Sequence, residues 1–228
     1  MSAGPNARGP SAVVLQHRDD APGGLLIDVL AASGLRSTIV RVDRGEPLPD
    51  PGSFTLAVTL GRDGSSDEPV GAPTTELDWL RQADRAGTAV LGVGFGAQTL
   101  AVALGGGVDR APRARYGWLW VSTSIPRWIS SGPWLAWQED VIRLPAGARL
   151  LAHDQVGPQA FIAGGHLGLQ FHPEITPKIL GGWIAAGRVS SLDSQGMLEV
   201  TSREYATASV AAERLLTTYI DSLAQRQR

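Results

Sequence analysis

The chain has 228 residues, of which 43% are hydrophobic, and its formal net charge at pH 7 is −2. This length favours one α/β domain, and the small net charge excludes a protein that binds nucleic acid through a general basic surface. The sequence contains no cysteine, which excludes disulfides, thiolate metal sites and cysteine nucleophiles. Since no apolar run approaches the roughly 20 residues that span a bilayer, we expect a cytoplasmic protein without a membrane partner.

Strands and helices alternate in the first half of the chain. Residues 1–11 lack an apolar signal core and are predicted to form a disordered lead-in, followed by a single domain over residues 12–228. Strands are predicted at 12–16, 37–43, 55–61 and 88–93, and helices at 23–34, 73–87 and about 95–105. This alternation predicts a mainly parallel sheet with helices on both faces.

After Gly107 the pattern changes to short strand-like segments separated by turn signals. These segments lie at 116–124, 134–144, 148–154, 158–164 and 166–172. They predict a short antiparallel portion, and helices are predicted to follow at 173–187 and at about 203–225.

The run AVLGVGFGAQTLAVALGG, at 89–106, predicts a strand that enters a tight turn and continues as a helix. Gly92, Gly94 and Gly96 match the small-x-nucleophile-x-small pattern of a nucleophile elbow, where strand and helix nearly touch. Glycine takes the strained conformation of the apex without the cost that a Cβ brings. The sequence therefore predicts an elbow whose apex, Gly94, has no side chain to attack with. The amide of Phe95, at the helix start, is placed to bind a partial negative charge.

Two other interpretations of this turn stay open. Gly92, Gly94 and Ala97 fit the dinucleotide fingerprint G-x-G-x-x-A, but the acid expected about 20 residues on is absent from the segment APRARYGWLW. The glycines also fit a turn that is required only for close packing.

A second motif is GLQFHPEIT, at 168–176. His172 follows a predicted strand, and Glu174 lies two residues on, where an extended chain points both side chains to the same side. A carboxylate in this position orients an imidazole and raises its basicity, as the third member of a catalytic triad does. The alternative is a histidine at the end of a strand and a glutamate stabilised by a helix dipole.

Together the two segments resemble the class I, triad-type glutamine amidotransferases, and in particular the stand-alone GMP synthase-like members. That family's elbow is G-(I/V)-C-(F/L)-G-x-Q and its second motif is FHPE, which stand here as GVGFGAQ (92–98) and FHPE (171–174). Segments that also match include ELDWLRQADRAGTAVLG, ALGGGV, YGW, LPAGARLLA and GPQAF. The resemblance covers nearly the whole chain. It implies the flavodoxin-like α/β fold of that class, with a mainly parallel sheet, helices on both faces and a short antiparallel portion.

The resemblance also implies that the family's reaction is lost. In the family, a cysteine thiolate attacks the glutamine side-chain amide, a histidine transfers the proton, and a glutamate orients the histidine. Ammonia then passes to a synthase partner. His172 and Glu174 match the last two roles, whereas Gly94 stands at the cysteine position. We therefore expect that the chain is not a conventional glutaminase, because removing one member of such a unit costs several orders of magnitude in rate.

Several pocket positions differ from the family pattern together. The oxyanion-side loop, usually Gly-Gly-Pro, is GRDGS here, a glutamate before the GW turn is replaced by arginine, and the histidine of WxxWH is replaced by glutamine. The glutamine of the elbow helix is kept. The loop positions are Gly61, Arg62 and Asp63, and the retained glutamine is Gln98. Arg115 replaces the glutamate, and Gln138 replaces the histidine.

Three functional hypotheses follow. The chain is a repurposed enzyme that uses His172 and Glu174 as acid and base on a small-molecule metabolite, a non-catalytic protein that binds a metabolite or a partner such as a synthase, or an amidotransferase whose cysteine has been replaced. No cofactor and no metal site are predicted. Candidate substrate-binding residues are Arg115, Tyr116, Trp118, Trp137 and Gln138, with Arg62 and Arg115 as candidate ligands of an anionic group.

Overall fold

A computed structural model describes residues 9–61, 74–187 and 191–226. The strands are β1 (Ser11–Gln16), β2 (Arg36–Arg41), β3 (Leu56–Thr59), β4 (Ala89–Val93), β5 (Gly107–Leu119), β6 (Ser122–Thr123), β7 (Trp134–Arg143), β8 (Arg149–His153), β9 (Pro158–Ala163) and β10 (His166–Leu169). The α-helices are α1 (Leu25–Ala32), α2 (Thr74–Arg85), α3 (Phe95–Ala103), α4 (Pro177–Ala185) and α5 (Ser191–Arg226).

The main sheet has the strand order β2-β1-β3-β4-β10-β9-β8-β6. Its first five strands are parallel, and the apolar runs of β1, β3 and β4 are buried, as is typical of strands covered on both faces. From β1 the chain moves outward to β2 and then returns to the other side of β1 as β3. The order of winding therefore reverses between β1 and β3, and the carboxyl ends of all five strands lie at one edge.

Helices cover both faces of this sheet, as predicted. Alternate residues of each strand enter opposite layers: Val14 packs with residues of α1 and α5, whereas Val13 packs with residues of α2 and α3. The predicted α/β architecture with a mainly parallel sheet and an antiparallel portion is confirmed.

The antiparallel portion is larger than the sequence pattern indicated. Strands β10, β9, β8 and β6 pair antiparallel in the main sheet, and β5 pairs with β7 in a separate two-stranded sheet. β5 begins at Gly107, nine residues before the predicted start at Tyr116. Four of the nine added residues are charged and most of the nine are exposed, and the pairing register shifts between Arg110 and Arg115, so this part of the strand lacks a regular apolar alternation.

Two helix boundaries also differ from the prediction. α4 begins at Pro177 rather than at Pro173, with Thr176 as its N-cap, since the Thr176 side chain accepts a hydrogen bond from the amide of Ile179. α5 begins at Ser191, twelve residues before the predicted start, in a segment whose Ser, Asp and Gly residues have low helix propensity. Among the described residues, no helix is long and apolar enough to cross a bilayer.

Candidate active site at the carboxyl edge of the sheet

The predicted elbow lies between β4 and α3, with Gly94 at its apex. Gly94 is the N-cap of α3 and has φ 57° and ψ −118°, a conformation that disfavours residues with a Cβ. The turn is tight, because a Cβ on Gly96 would lie 2.0 Å from the carbonyl oxygen of Thr59. The Gly94 amide donates to the carbonyl oxygen of Leu169 at 2.8 Å, which ties the apex to β10.

The imidazole of His172 packs directly on Gly94. A Cβ built on Gly94 would lie 2.5 Å from Cε1 and 2.9 Å from Nε2 of His172. Gly61, two residues after the end of β3, borders the same ring, since a Cβ there would lie 3.7 Å from Cε1. The structure therefore brings three predicted site residues together. The ring takes the space that a nucleophile's Cβ would need.

Glu174 holds the other side of this imidazole. Its Oε1 lies 2.7 Å from Nδ1 of His172, and both residues are about 5% exposed or less. The backbone fixes the pair, since the His172 amide donates to the carbonyl oxygen of Leu135 and the Glu174 carbonyl accepts from the amide of Leu25. Nε2 of His172 and Oε2 of Glu174 are buried and have no hydrogen-bond partner among the described residues. This geometry is that of a base and its orienting carboxylate.

An aromatic ladder runs from this imidazole to the protein surface. Ring centroids are 5.1 Å apart at each edge-to-face step, from His172 to Trp183, from Trp183 to Trp137, and from Trp137 to Tyr116. Trp183 was not predicted as a site residue, although its place on the helix after FHPE was a usable signal. Trp137 and Tyr116 belong to the ladder and do not reach the imidazole directly.

Tyr116 ends the ladder at the surface, where its hydroxyl donates to the Glu139 carboxylate. Partial burial and this hydrogen bond raise the pKa of Tyr116 to about 12, so its hydroxyl is neutral at physiological pH.

Trp118 also lies near His172, in the same hydrophobic cluster as Trp137 and Trp183. It lines a cleft with His172, Pro173 and Tyr205, and its indole N–H donates to the Thr201 hydroxyl at 2.9 Å. Trp118 therefore lies beside the candidate site, and its role in substrate binding stays a prediction.

Arg115 and Gln138 face each other across β5 and β7. The Arg115 guanidinium lies 2.6 Å from the buried carboxylate of Asp154, so any anionic ligand of Arg115 has to compete with that carboxylate. Gln138 is 5% exposed, and its Oε1 has no partner among the described residues. Neither residue is seen in contact with His172, and their role in substrate binding stays a prediction.

The remaining predicted pocket residues lie around the elbow or outside the described residues. Gln98 is buried on α3, one turn after Gly94, and Phe95 is the first residue of that helix and is partly exposed. Arg62 and Asp63 fall outside the described residues. Within the described ranges, no three His, Asp or Glu side chains are grouped to hold a metal ion.

Sequence comparison relates part of the chain to GMP synthases. The glutamine-hydrolysing GMP synthase of Gloeobacter violaceus is 41% identical over 98 residues, covering 39% of this chain and 18% of that protein. The Thermus thermophilus enzyme is 38% identical over 108 residues, covering 40% of this chain and 20% of that protein. This chain therefore matches about a fifth of the length of these relatives. No protein-family model matches it.

Solved structures share the fold over nearly the whole chain. A glutamine amidotransferase from Methylobacillus flagellatus superposes with a TM-score of 0.83 at 21% identity, covering 93% of this chain and 94% of that one. One from Thermotoga maritima has a TM-score of 0.80 at 23% identity, covering 92% and 98% of the two chains. The chain therefore has the α/β fold of these glutamine amidotransferases and is similar to GMP synthases over about two fifths of its length. Gly94 stands at the position that the motif resemblance assigns to the family's cysteine.

Proposed function

We propose that this protein does not hydrolyse glutamine and that His172 and Glu174 act as a cysteine-independent acid–base pair on a small polar metabolite. The observation that carries the proposal is the hydrogen bond of 2.7 Å between Nδ1 of His172 and Oε1 of Glu174, combined with an unpartnered Nε2 at the elbow. A neutral imidazole whose Nδ1–H is held by a carboxylate presents Nε2 as the base.

The unpartnered nitrogen supports a ligand at this position. Leaving a buried polar atom without a hydrogen bond costs about 1–3 kcal/mol, and such atoms in folded proteins mark bound water, ligands or catalytic roles. Nε2 lies on the Gly94 side of the ring, 2.9 Å from the place of the missing Cβ. A water molecule, or an O–H or N–H group of the ligand, that reaches Nε2 beside that place would donate a hydrogen bond to it.

In the proposed step, a water molecule attacks an electrophilic carbon of the ligand while Nε2 of His172 takes a proton of that water, and the bond from the carbon to the leaving group breaks. The imidazolium that forms is stabilised by Glu174, and it returns the proton to the leaving group. The positive charge therefore appears beside a buried carboxylate that is already in place.

A cytoplasmic location and a synthase partner belong to the same proposal, since the GMP synthases are the relatives that suggest them.

The position of the ring disfavours an amidotransferase that has merely had its cysteine replaced. A cysteine at position 94 would bring its Cβ within 2.5 Å of Cε1 of His172, so the ring, Trp183 or Glu174 would have to move. In this chain the imidazole position is compatible with glycine and not with the side chain of the family's nucleophile.

A second candidate function is binding without turnover. The contact between Gly94 and His172 favours it, because the imidazole is only 5% exposed and closes over the turn. In this case the site binds a metabolite, or the chain supports a partner protein, and the buried pair contributes to stability alone.

Hydrolysis of p-nitrophenyl acetate separates the two candidates. Any accessible imidazole cleaves this activated ester, so the exposed His153 provides the matched background. The acid–base proposal predicts that His172→Gln and Glu174→Gln each remove most of the turnover, and that His153→Gln leaves it nearly unchanged. If His172→Gln folds and hydrolyses the ester as fast as the wild-type protein, the acid–base proposal is wrong and binding without turnover is favoured.

A further inference from the structure

A second buried imidazole–carboxylate pair lies at the same edge of the sheet. Nε2 of His17 is 2.8 Å from Oε2 of Glu76, and the Thr59 hydroxyl donates to Oε1 of the same carboxylate at 2.7 Å. The three residues are 8%, 1% and 1% exposed, in the order His17, Glu76 and Thr59. A buried polar network whose hydrogen bonds are satisfied makes the surrounding structure more rigid and more specific than apolar packing alone would.

The pair of His17 and Glu76 lies at the carboxyl ends of β1 and β3, between which the strand order changes direction. His17 directly follows β1, Thr59 ends β3, and Glu76 is in the first turn of α2. In open α/β sheets, the crevice at the carboxyl ends of the two strands flanking such a reversal is the usual place for functional groups. Alternation along β1 and β3 places His17 and Thr59 on the face that packs against α2 and α3. That is the side of the sheet on which the elbow turns into α3.

Thr59 connects this pair to the contact between Gly94 and His172. Its carbonyl oxygen abuts Gly96 so closely that a Cβ there would lie 2.0 Å away, and this glycine is in the first turn of α3. Two residues after Thr59, Gly61 borders the His172 ring. The side chain of Thr59 therefore contacts the second pair, while its backbone supports both the elbow and the loop beside the imidazole.

The other end of α2 offers a matched comparison. Asp84, near the end of the helix, lies 3.0 Å from Nε2 of His166, whose Nδ1 accepts a hydrogen bond from the Val90 amide. His166 begins β10, so this contact is at the opposite edge of the sheet from Gly94. The helix α2 is therefore held at each end by a histidine and a carboxylate, and only one of the two pairs borders the candidate site.

We propose that His17, Glu76 and Thr59 are positioning residues, and that the hydrogen bonds they share hold Thr59 and Gly61 where they keep the His172 imidazole seated on Gly94. The pair of Asp84 and His166 contacts the other end of α2 and does not position the His172 imidazole. The inference concerns the site of the proposed function, but its test measures the position of the imidazole, so its outcome does not depend on whether that site turns over any substrate.

The test uses the four histidines of the full-length chain as reporters. Ring ¹H–¹⁵N spectra of histidine-labelled protein, assigned by substitution, are recorded for the wild type and for Glu76→Gln, Thr59→Val and Thr59→Ser. Carbethoxylation of His172 by diethyl pyrocarbonate is followed by mass spectrometry on the same samples. Asp84→Asn is the control, because it breaks the pair at the far end of α2. Far-ultraviolet circular dichroism shows that each variant is folded.

We expect Glu76→Gln and Thr59→Val to shift the His172 ring signals and to raise its carbethoxylation rate about tenfold, as losing one buried hydrogen bond would do locally. Thr59→Ser keeps the hydroxyl and should match the wild type, as should Asp84→Asn. Thr59→Val is nearly isosteric, so it carries the test if Glu76→Gln does not fold. An unchanged His172 in folded Thr59→Val, or an equal change in Asp84→Asn, would show that the cluster has no positioning role.

Discussion

Cε1 of His172 lies 2.5 Å from the place that a Cβ on Gly94 would occupy. This relationship joins the two motifs that the sequence singled out, and it makes the missing side chain part of the geometry of the site. The glycine takes the backbone conformation of the elbow, and the imidazole fills the room that this glycine leaves.

The contact predicts that Gly94→Ala destabilises the protein by two effects. The positive φ costs about 1–3 kcal/mol for a residue with a Cβ, and the clash with His172 adds to it. Gly147→Ala is the matched control, since its φ is also positive, at 76°, but a Cβ there meets nothing within 4 Å. Urea denaturation should show a larger loss for Gly94→Ala. The difference between the two losses in the free energy of unfolding should shrink when Gly94→Ala and Gly147→Ala are each made in a His172→Ala background. An unchanged difference would mean that a side chain at position 94 does not compete with His172 for space.

Restoring the nucleophile alone should not restore the family's reaction. We expect Gly94→Cys to release little or no ammonia from glutamine, because its Cβ displaces the imidazole that would have to activate the thiol. A coupled glutamate dehydrogenase assay measures the ammonia, with Gly94→Ser as the control for a side chain of similar size. Sustained turnover by Gly94→Cys alone would show that the pocket is intact and that only the thiol is missing.

Trp183 is expected to hold the imidazole in place. Its ring meets His172 edge to face at 5.1 Å, and its indole N–H donates to the Asp20 carbonyl at 2.8 Å. Trp183→Phe keeps an aromatic ring but loses that donor and part of the contact, so we expect a loss of about 1–2 kcal/mol in the free energy of unfolding. The His172 ring signals should also shift. Trp120→Phe is the control, since Trp120 is 58% exposed, and it should change neither quantity.

Alkaline pH should weaken the protein through Tyr116. Its pKa is raised to about 12 from an ordinary value of 10, so between these values the folded state holds a proton that the unfolded state has lost. Stability therefore falls as pH rises from about 10 to about 12. Tyr116→Phe should make this fall less steep, which thermal unfolding across the range measures. An identical pH profile for the variant would contradict the environment described for this hydroxyl.

The site was predictable from sequence where its residues are close along the chain. The glycine spacing at 92–96 reports a tight turn, and the two-residue spacing of His172 and Glu174 reports a shared direction in an extended segment. Both signals are local, and each rests on geometry that holds for any chain. The alternation of strands and helices gave the parallel half of the sheet for the same reason.

Contacts between distant residues carried no such signal. His17 and Glu76 are 59 positions apart, and either side chain alone is compatible with a solvated surface. Trp183 meets His172 from a helix that begins five residues after it, and α5 begins in a segment whose helix propensity is weak. A sequence pattern indicates on which face of a helix or strand a residue lies, whereas tertiary packing decides which distant residue it contacts there.

The most direct measurement is ammonia release from glutamine by the purified wild-type protein, followed over many enzyme equivalents beside the His172→Gln variant. We predict that neither protein releases ammonia above the buffer rate, since the position that would form the covalent intermediate is Gly94. Multiple turnovers by the wild type that disappear in His172→Gln would contradict this account, because they would show glutamine hydrolysis at this site without a cysteine.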